Sequence, residues 1–119
     1  MRILIIIPAY NEAENIQKVI EAVRNSVPEM DYIVVNDCSV DDTEKICKQN
    51  RYQYISLPVN LGIGGGVQTG YLYALQNGYD IAIQLDGDGQ HDPSYIHELI
   101  EPIINNEADI VIGSRFISK

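Results

Sequence analysis

A chain of 119 residues has room for one domain, and with 45% apolar residues it can close a hydrophobic core of its own. Its 17 acidic against 8 basic side chains leave a net charge of −9. Such a surface repels nucleic-acid backbones and anionic lipid heads and argues against both as direct partners of this segment.

The first expected element is a strand over Ile3 to Ile7, an unbroken apolar run of the kind buried on both faces. Asn11 with Glu14 three residues later reads as a capping box with Asn in place of Ser or Thr. The helix it opens carries Ile16, Val19, Ile20 and Val23 at helical spacing, and Pro28 stops it. Tyr32 to Val35 is a second buried strand, ending at Asn36-Asp37. Asp41 and Glu44 open a helix through about Asn50, and Tyr52 to Leu57 is a third strand closed by Pro58.

Gly62, Gly64, Gly65 and Gly66 form a glycine-rich entry to a helix running to about Asn77, with Gly78 as its stop. Asp80 to Leu85 is a fourth strand leading into Asp86-Gly87-Asp88-Gly89. Asp92-Pro93 starts a further helix with Ile96, Leu99, Ile100 and Ile103 on its buried stripe. Ala108 to Ile112 is a fifth strand, followed by Gly113-Ser114-Arg115.

This order, βαβαβαβαβ, is that of an α/β fold with a mostly parallel sheet and helices on both faces. There are no repeats, low-complexity stretches or linkers. The chain stops seven residues after its fifth strand, without a helix to cover it. That ending is expected of a cut through a larger fold, and the uncovered sheet edge would drive self-association. Cys38 and Cys47 show neither a metal spacing nor a CxxC motif and read as free thiols in a reducing compartment. The first apolar run is too short for a signal peptide, and no run approaches the length of a membrane span. The expected location is cytoplasmic, or the cytoplasmic face of a membrane for a longer parent protein.

Open parallel sheets bind ligands beyond the carboxyl ends of their strands. There the first strand presents Pro8-Ala9-Tyr10-Asn11-Glu12, the second Asp37, the fourth Asp86 and Asp88, and the fifth Arg115. Gathered carboxylates repel one another, and a divalent cation relieves that repulsion. Asp-x-Asp at a strand end is a hard-oxygen site suited to Mg²⁺ or Mn²⁺, with coordination positions left for phosphate oxygens. The expected ligand is a diphosphate. Each residue also has a plainer role: Asp37 as a turn former, Asp86-Gly87-Asp88-Gly89 as a tight turn, Glu12 as a charge at a helix start. The glycines from Gly62 to Gly66 fit neither GxGxxG nor GK[ST] and read as close-packing positions. His97 reads as a helix-surface residue, while His91, beside the acidic pair, stays open. Arg115 is placed to meet a phosphate.

Together these residues resemble the family 2 glycosyltransferases, which have the GT-A fold. The matching stretches are Ile7 to Glu12, Val34 to Thr43, Asn60-Leu61-Gly62, Leu85 to Pro93 and Gly113 to Phe116, in order across essentially the whole chain. Within the family the similarity is greatest to the branch of dolichyl-phosphate mannose synthase, which charges polyprenyl phosphates. The resemblance implies that Pro8, Tyr10 and Glu12 line the nucleoside pocket and that Val35 and Asp37 contact base and ribose. It implies that Asp86 and Gly87 lie along ribose and diphosphate, with Asp88 the direct metal ligand and Asp86 the second candidate. Gln90 would lie near metal or sugar, and Arg115 near the phosphates or sugar. The donor would be a UDP- or GDP-sugar. The acceptor, a polyprenyl phosphate or a glycan, would be held by a half absent from residues 1–119, and no catalytic residue is assigned. The family usually has Asp where Asn36 stands, Gly where Cys38 stands, and Lys or Arg in many members after Asn60-Leu61-Gly62.

Two other classes compete. A receiver-type signalling domain wants an acidic cluster after strand one, Asp after strand three and Lys after strand five. Here those places hold Pro8-Ala9-Tyr10, Leu57-Pro58 and Gly113-Ser114-Arg115. A non-catalytic nucleotide-sugar-binding module would bind the same donor and differ only in turnover.

Overall fold

The computed structural model describes residues 2–85. Four strands, β1 (Ile3–Ala9), β2 (Asp31–Asn36), β3 (Tyr54–Ser56) and β4 (Ile81–Gln84), alternate with three helices, α1 (Ile16–Ser26), α2 (Thr43–Gln49) and α3 (Gly62–Gln76). The strands form one all-parallel sheet in the order β3-β2-β1-β4. The helix expected from Asp92 and the strand expected at Ala108 lie outside the described residues.

β1 is central, with side chains buried from Leu4 to Ala9. Period-2 alternation sends Ile5, Ile7 and Ala9 to one face, where they pack with Ile16, Val19, Ile20 and Val23 of α1 and Cys47 of α2. Leu4 and Ile6 go to the other face, among Ile33, Val35 and Ala74 of α3. Helices therefore cover both faces, which is why β1 reads as a continuous apolar run. Each fully buried Ile contributes roughly 1.5–3 kcal/mol.

α3 approaches β1 closely because Gly70 has no side chain. A Cβ there would lie 2.4 Å from Ile6 Cγ2. The helix ends as expected at Asn77, with Gly78 at φ +74°. Tyr79 N–H bonds to Ala74 C=O at 3.0 Å and Gly78 N–H to Leu75 C=O at 3.4 Å, a Schellman closure. α2 closes the same way, with Arg51 at φ +56° in the position glycine usually takes.

The expected starts of α1 and α2 need correction. α1 begins at Ile16, and Asn11 does not cap it. Asn11 adopts φ +55°, which Asn tolerates better than most residues, and its Oδ1 accepts the Val40 N–H at 2.8 Å. In α2 Asp41 does accept the Thr43 N–H at 3.0 Å, but Glu44 takes a hydrogen bond from Ser56 Oγ rather than reaching back. β3 is shorter than expected, covering only the residues that pair with Val34, Val35 and Asn36.

Candidate functional site

The strand order reverses at β1: the connection after it leads to β2 on one side, while β4 lies on the other. This is a topological switch point, where the loops leaving two neighbouring strands diverge. The ladder between β1 and β4 ends at Ile6 and Gln84, with Leu85 N–H bonded to Ile6 C=O at 2.8 Å. Ile6 thus directs its peptide groups toward β4 and Ala9, which accepts Asp37 N–H at 2.9 Å, directs its own toward β2. By alternation, the N–H that would continue the β4 ladder belongs to residue 8, and Pro8 has none. The proline offers β4 no donor there, and the crevice that an open parallel sheet has at a switch point falls beside the last residues of β1, where β4 leads the chain toward Asp86.

Around that crevice, Tyr10 is 47% exposed at the β1 exit and Glu12 is half-buried beside it. Glu12 Oε1 accepts a hydrogen bond from Asn15 Nδ2 at 3.3 Å. Asp37, 5% exposed, accepts the Leu61 N–H on Oδ1 at 2.7 Å, joining the end of β2 to the start of α3. Pro8 and Val35 are buried side by side beneath Gly66, where a Cβ would meet each at 3.8 Å. They form the floor under the first turns of α3, and Val35 has no exposed surface.

The two departures at the β2 end have local explanations. Asn36 is buried, with Nδ2 donating to Ser56 Oγ at 3.1 Å and Oδ1 accepting the Ser39 N–H at 3.2 Å. Its amide donor leaves the Ser56 hydroxyl hydrogen free for Glu44, which an Asp at 36 would compete for. Cys38 holds φ +58°, the left-handed region that favours the family's usual glycine. In Asn60-Leu61-Gly62, Asn60 Oδ1 accepts Gly62 N–H at 3.0 Å and Gly62 sits at φ +78°. These residues turn the chain into α3, but the close packing expected of the glycines is not found at Gly62 or Gly64, where a Cβ would meet nothing within 4 Å. Sequence reasoning passed over Gly70, which makes the closest approach of all.

The β1 exit also has three successive N–H groups, on Asn11, Glu12 and Ala13. They donate to Ser39 Oγ at 3.0 Å, Thr43 Oγ1 at 3.0 Å and Asp41 Oδ2 at 3.1 Å. In dinucleotide-binding folds the equivalent turn holds a pyrophosphate on its peptide groups. Here those groups are already occupied, so a diphosphate needs another partner. Among the described residues no three His, Cys, Asp or Glu gather as a metal site. Asp86, Gly87, Asp88, Gln90, His91 and Arg115 lie outside the described residues. Ser39, Asp41 and Thr43, which hold this turn, were not singled out for that role from the sequence. The detectable signal was Asp-x-Thr, a pattern that builds local side-chain-to-backbone turns.

A separate cavity of about 470 Å³ opens at the opposite, amino end of the sheet, lined by Arg24, Asp31, Tyr32, Gln53, Tyr73 and Tyr79 among others. None of its lining residues is Pro8, Tyr10, Glu12, Val35 or Asp37.

The family model described as glycosyl transferase family 2 matches residues 4–119. The chain belongs to glycosyl transferase family 2. It is 36% identical to the undecaprenyl-phosphate mannosyltransferase of Micrococcus luteus, the match covering 97% of this chain and 49% of that protein. It is 38% identical to the UDP-N-acetylglucosamine–dolichyl-phosphate N-acetylglucosaminyltransferase of Methanococcus voltae, over 95% of this chain and 51% of that one. This family 2 chain thus spans about half the length of these relatives. Its fold is also that of glucosyl-3-phosphoglycerate synthase from Mycobacterium tuberculosis, solved with Mn²⁺ and UDP-glucose. The TM-score is 0.70 at 25% identity, covering 89% of this chain and 40% of that one. The same GT-A architecture appears in S. aureus TarS in complex with UDP, with a TM-score of 0.69 at 21% identity over 88% of this chain and 32% of that one.

Proposed function

We propose that residues 1–119 form the donor-binding part of a glycosyltransferase that moves a sugar from a nucleoside diphosphate to a polyprenyl phosphate. The observation that carries this reading is the switch point between β1 and β4, where the pairing stops before Pro8, with Tyr10, Glu12 and Asp37 on one side and β4 leading to Asp86-Gly87-Asp88 on the other. Tyr10 and Glu12 would border the nucleoside, while Asp37, with Oδ1 committed to Leu61, would offer Oδ2 to it. The names of the M. luteus and M. voltae relatives support the acceptor class, and the M. voltae and M. tuberculosis names support uridine as the base. Such an acceptor places the work at a membrane face. Among the described residues no helix is long and apolar enough to cross a membrane.

Asp88, with Asp86 beside it, would hold Mg²⁺ or Mn²⁺, which offsets the charge of the diphosphate as it leaves. Two features support this: the hard carboxylate donors, and the prior occupation of the Asn11–Ala13 N–H groups. Calorimetry of UDP and GDP with and without Mn²⁺ tests the proposal. UDP should bind at least about tenfold tighter with the metal, since a lost charge–charge contact costs more than a neutral hydrogen bond. Asp88→Asn should abolish that metal dependence, and Asp86→Asn should weaken nucleotide binding with less effect on the metal. Equal affinity with and without Mn²⁺ would remove the metal bridge, and binding of neither nucleotide would remove the donor site.

A further inference from the structure

The loop that carries Tyr10 and Glu12 has little of its own to hold it. Between the end of β1 at Ala9 and the start of α1 at Ile16 it crosses a left-handed residue, Asn11. Its own backbone closures are the Asn15 and Ile16 N–H bonds to Glu12 C=O, at 2.9 and 2.8 Å. The segment following β2 supplies the rest. Ser39, Asp41 and Thr43, at alternate positions, take the N–H groups of Asn11, Glu12 and Ala13. Asn11 Oδ1 answers by accepting the Val40 N–H. Thr43 is fully buried and its hydroxyl donates to Asp41 Oδ1 while accepting from Glu12. Asp41 is the hub: Oδ1 accepts the Thr43 N–H and hydroxyl, and Oδ2 accepts the Ala13 N–H. A carboxylate can accept on both oxygens at once, whereas Asn offers one acceptor and places an amide donor against the second N–H.

We propose that Ser39, Asp41 and Thr43 are positioning residues for donor binding: by clamping the backbone of residues 11–13 they set where Tyr10 and Glu12 stand against the nucleoside. The proposal rests on reading the β1–β4 crevice as the donor site. Burial works to raise the Asp41 pKa, but the bonds from the Thr43 hydroxyl and from the Thr43 and Ala13 N–H groups outweigh it, holding the carboxyl below its ordinary range. The clamp is therefore ionised, and strongest, at neutral pH. A loop left free must be ordered when the ligand arrives, and that cost is subtracted from affinity.

UDP affinity in the presence of Mn²⁺, together with amide exchange at Glu12 and Ala13, tests the clamp in the full chain. Thr43→Val keeps the shape and removes the hydroxyl, Asp41→Asn removes the second acceptor, and Thr43→Ser restores the hydroxyl. Thr43→Val and Asp41→Asn should each raise the UDP dissociation constant about tenfold, the loss of one such bond, and speed exchange at Glu12 and Ala13. Thr43→Ser should stay within about twofold of the parent. Ile81→Val, buried at the far end of β4, supplies the control: it lowers stability, yet UDP affinity of the folded protein should hold. If Thr43→Val and Asp41→Asn bind UDP like the parent, or lose no more than Ile81→Val loses at matched stability, the clamp has no positioning role and the donor site stands. If the parent chain binds neither UDP nor GDP, the donor reading and the clamp proposal fail together.

Discussion

Replacing Gly70 by Ala should destabilise this chain, although Ala is the better helix former. The new Cβ would lie 2.4 Å from Ile6 Cγ2, 2.9 Å from Cγ1 and 3.0 Å from Cδ1. Ile6 is fully buried on the central strand, between β2 and β4, and its β-branched side chain is restricted at χ1. It cannot swing aside, so α3 must lift or the sheet must bend. Overpacking of this kind costs about 1–3 kcal/mol, and three contacts at or under 3.0 Å place this case toward the upper end. Helix propensity returns about 1 kcal/mol. The net loss is roughly 1–2 kcal/mol. Gly64 supplies the opposite case on the same helix: a Cβ there meets nothing within 4 Å, so Gly64→Ala should add about 0.5–1 kcal/mol. Urea unfolding followed by helical circular dichroism would move the two midpoints in opposite directions, by about 0.5–1 M for a typical small-protein slope. A Gly70→Ala chain as stable as the parent would refute the packing argument, since the Ile6 contact is the source of the expected loss.

Other outcomes follow from single residues. The Cys47 thiol is buried and its pKa is pushed up to about 11, by burial first and then by Glu44. Cys38 is part-exposed, so iodoacetamide at neutral pH should label Cys38 and spare Cys47 until the protein unfolds; equal rates would contradict the packing of α2. Cys38→Gly should stabilise by about 0.5–1 kcal/mol, because relief of the left-handed strain exceeds the added entropy of the unfolded chain, and a lower urea midpoint would count against this. Burial, and then the 2.7 Å bond from its hydroxyl to Asp31 Oδ2, raise the Tyr79 pKa to about 12. The folded value lies above the unfolded one, so this contribution is complete below pH about 10 and is lost as pH climbs through about 12. Asp31→Asn should bring the Tyr79 absorbance titration down toward the ordinary range, and an unchanged titration would assign the shift to burial alone.

Wherever the physics is local, the amino-acid sequence by itself was enough. β1 and β2 declare themselves as unbroken apolar runs because both faces are covered, and α1 does so by a stripe repeating with the helical turn. Gly78 ends α3 because a left-handed C′ residue is a demand of the helix itself. The family could also be read, because its motifs recur in order along the chain. Partners far apart in sequence were decided only by the tertiary structure. Asn11 has the composition of a helix cap, yet its side chain goes to Val40, 29 positions away. Asp41 looked like a helix opener, and its second oxygen reaches Ala13, 28 positions away. Nothing in local propensity separates Gly64 from Gly70; the position of Ile6 on the neighbouring strand does. Pro8 likewise became informative only once the strand order placed β4 on the side of its missing N–H, because a proline ends a ladder only where a neighbour would have paired.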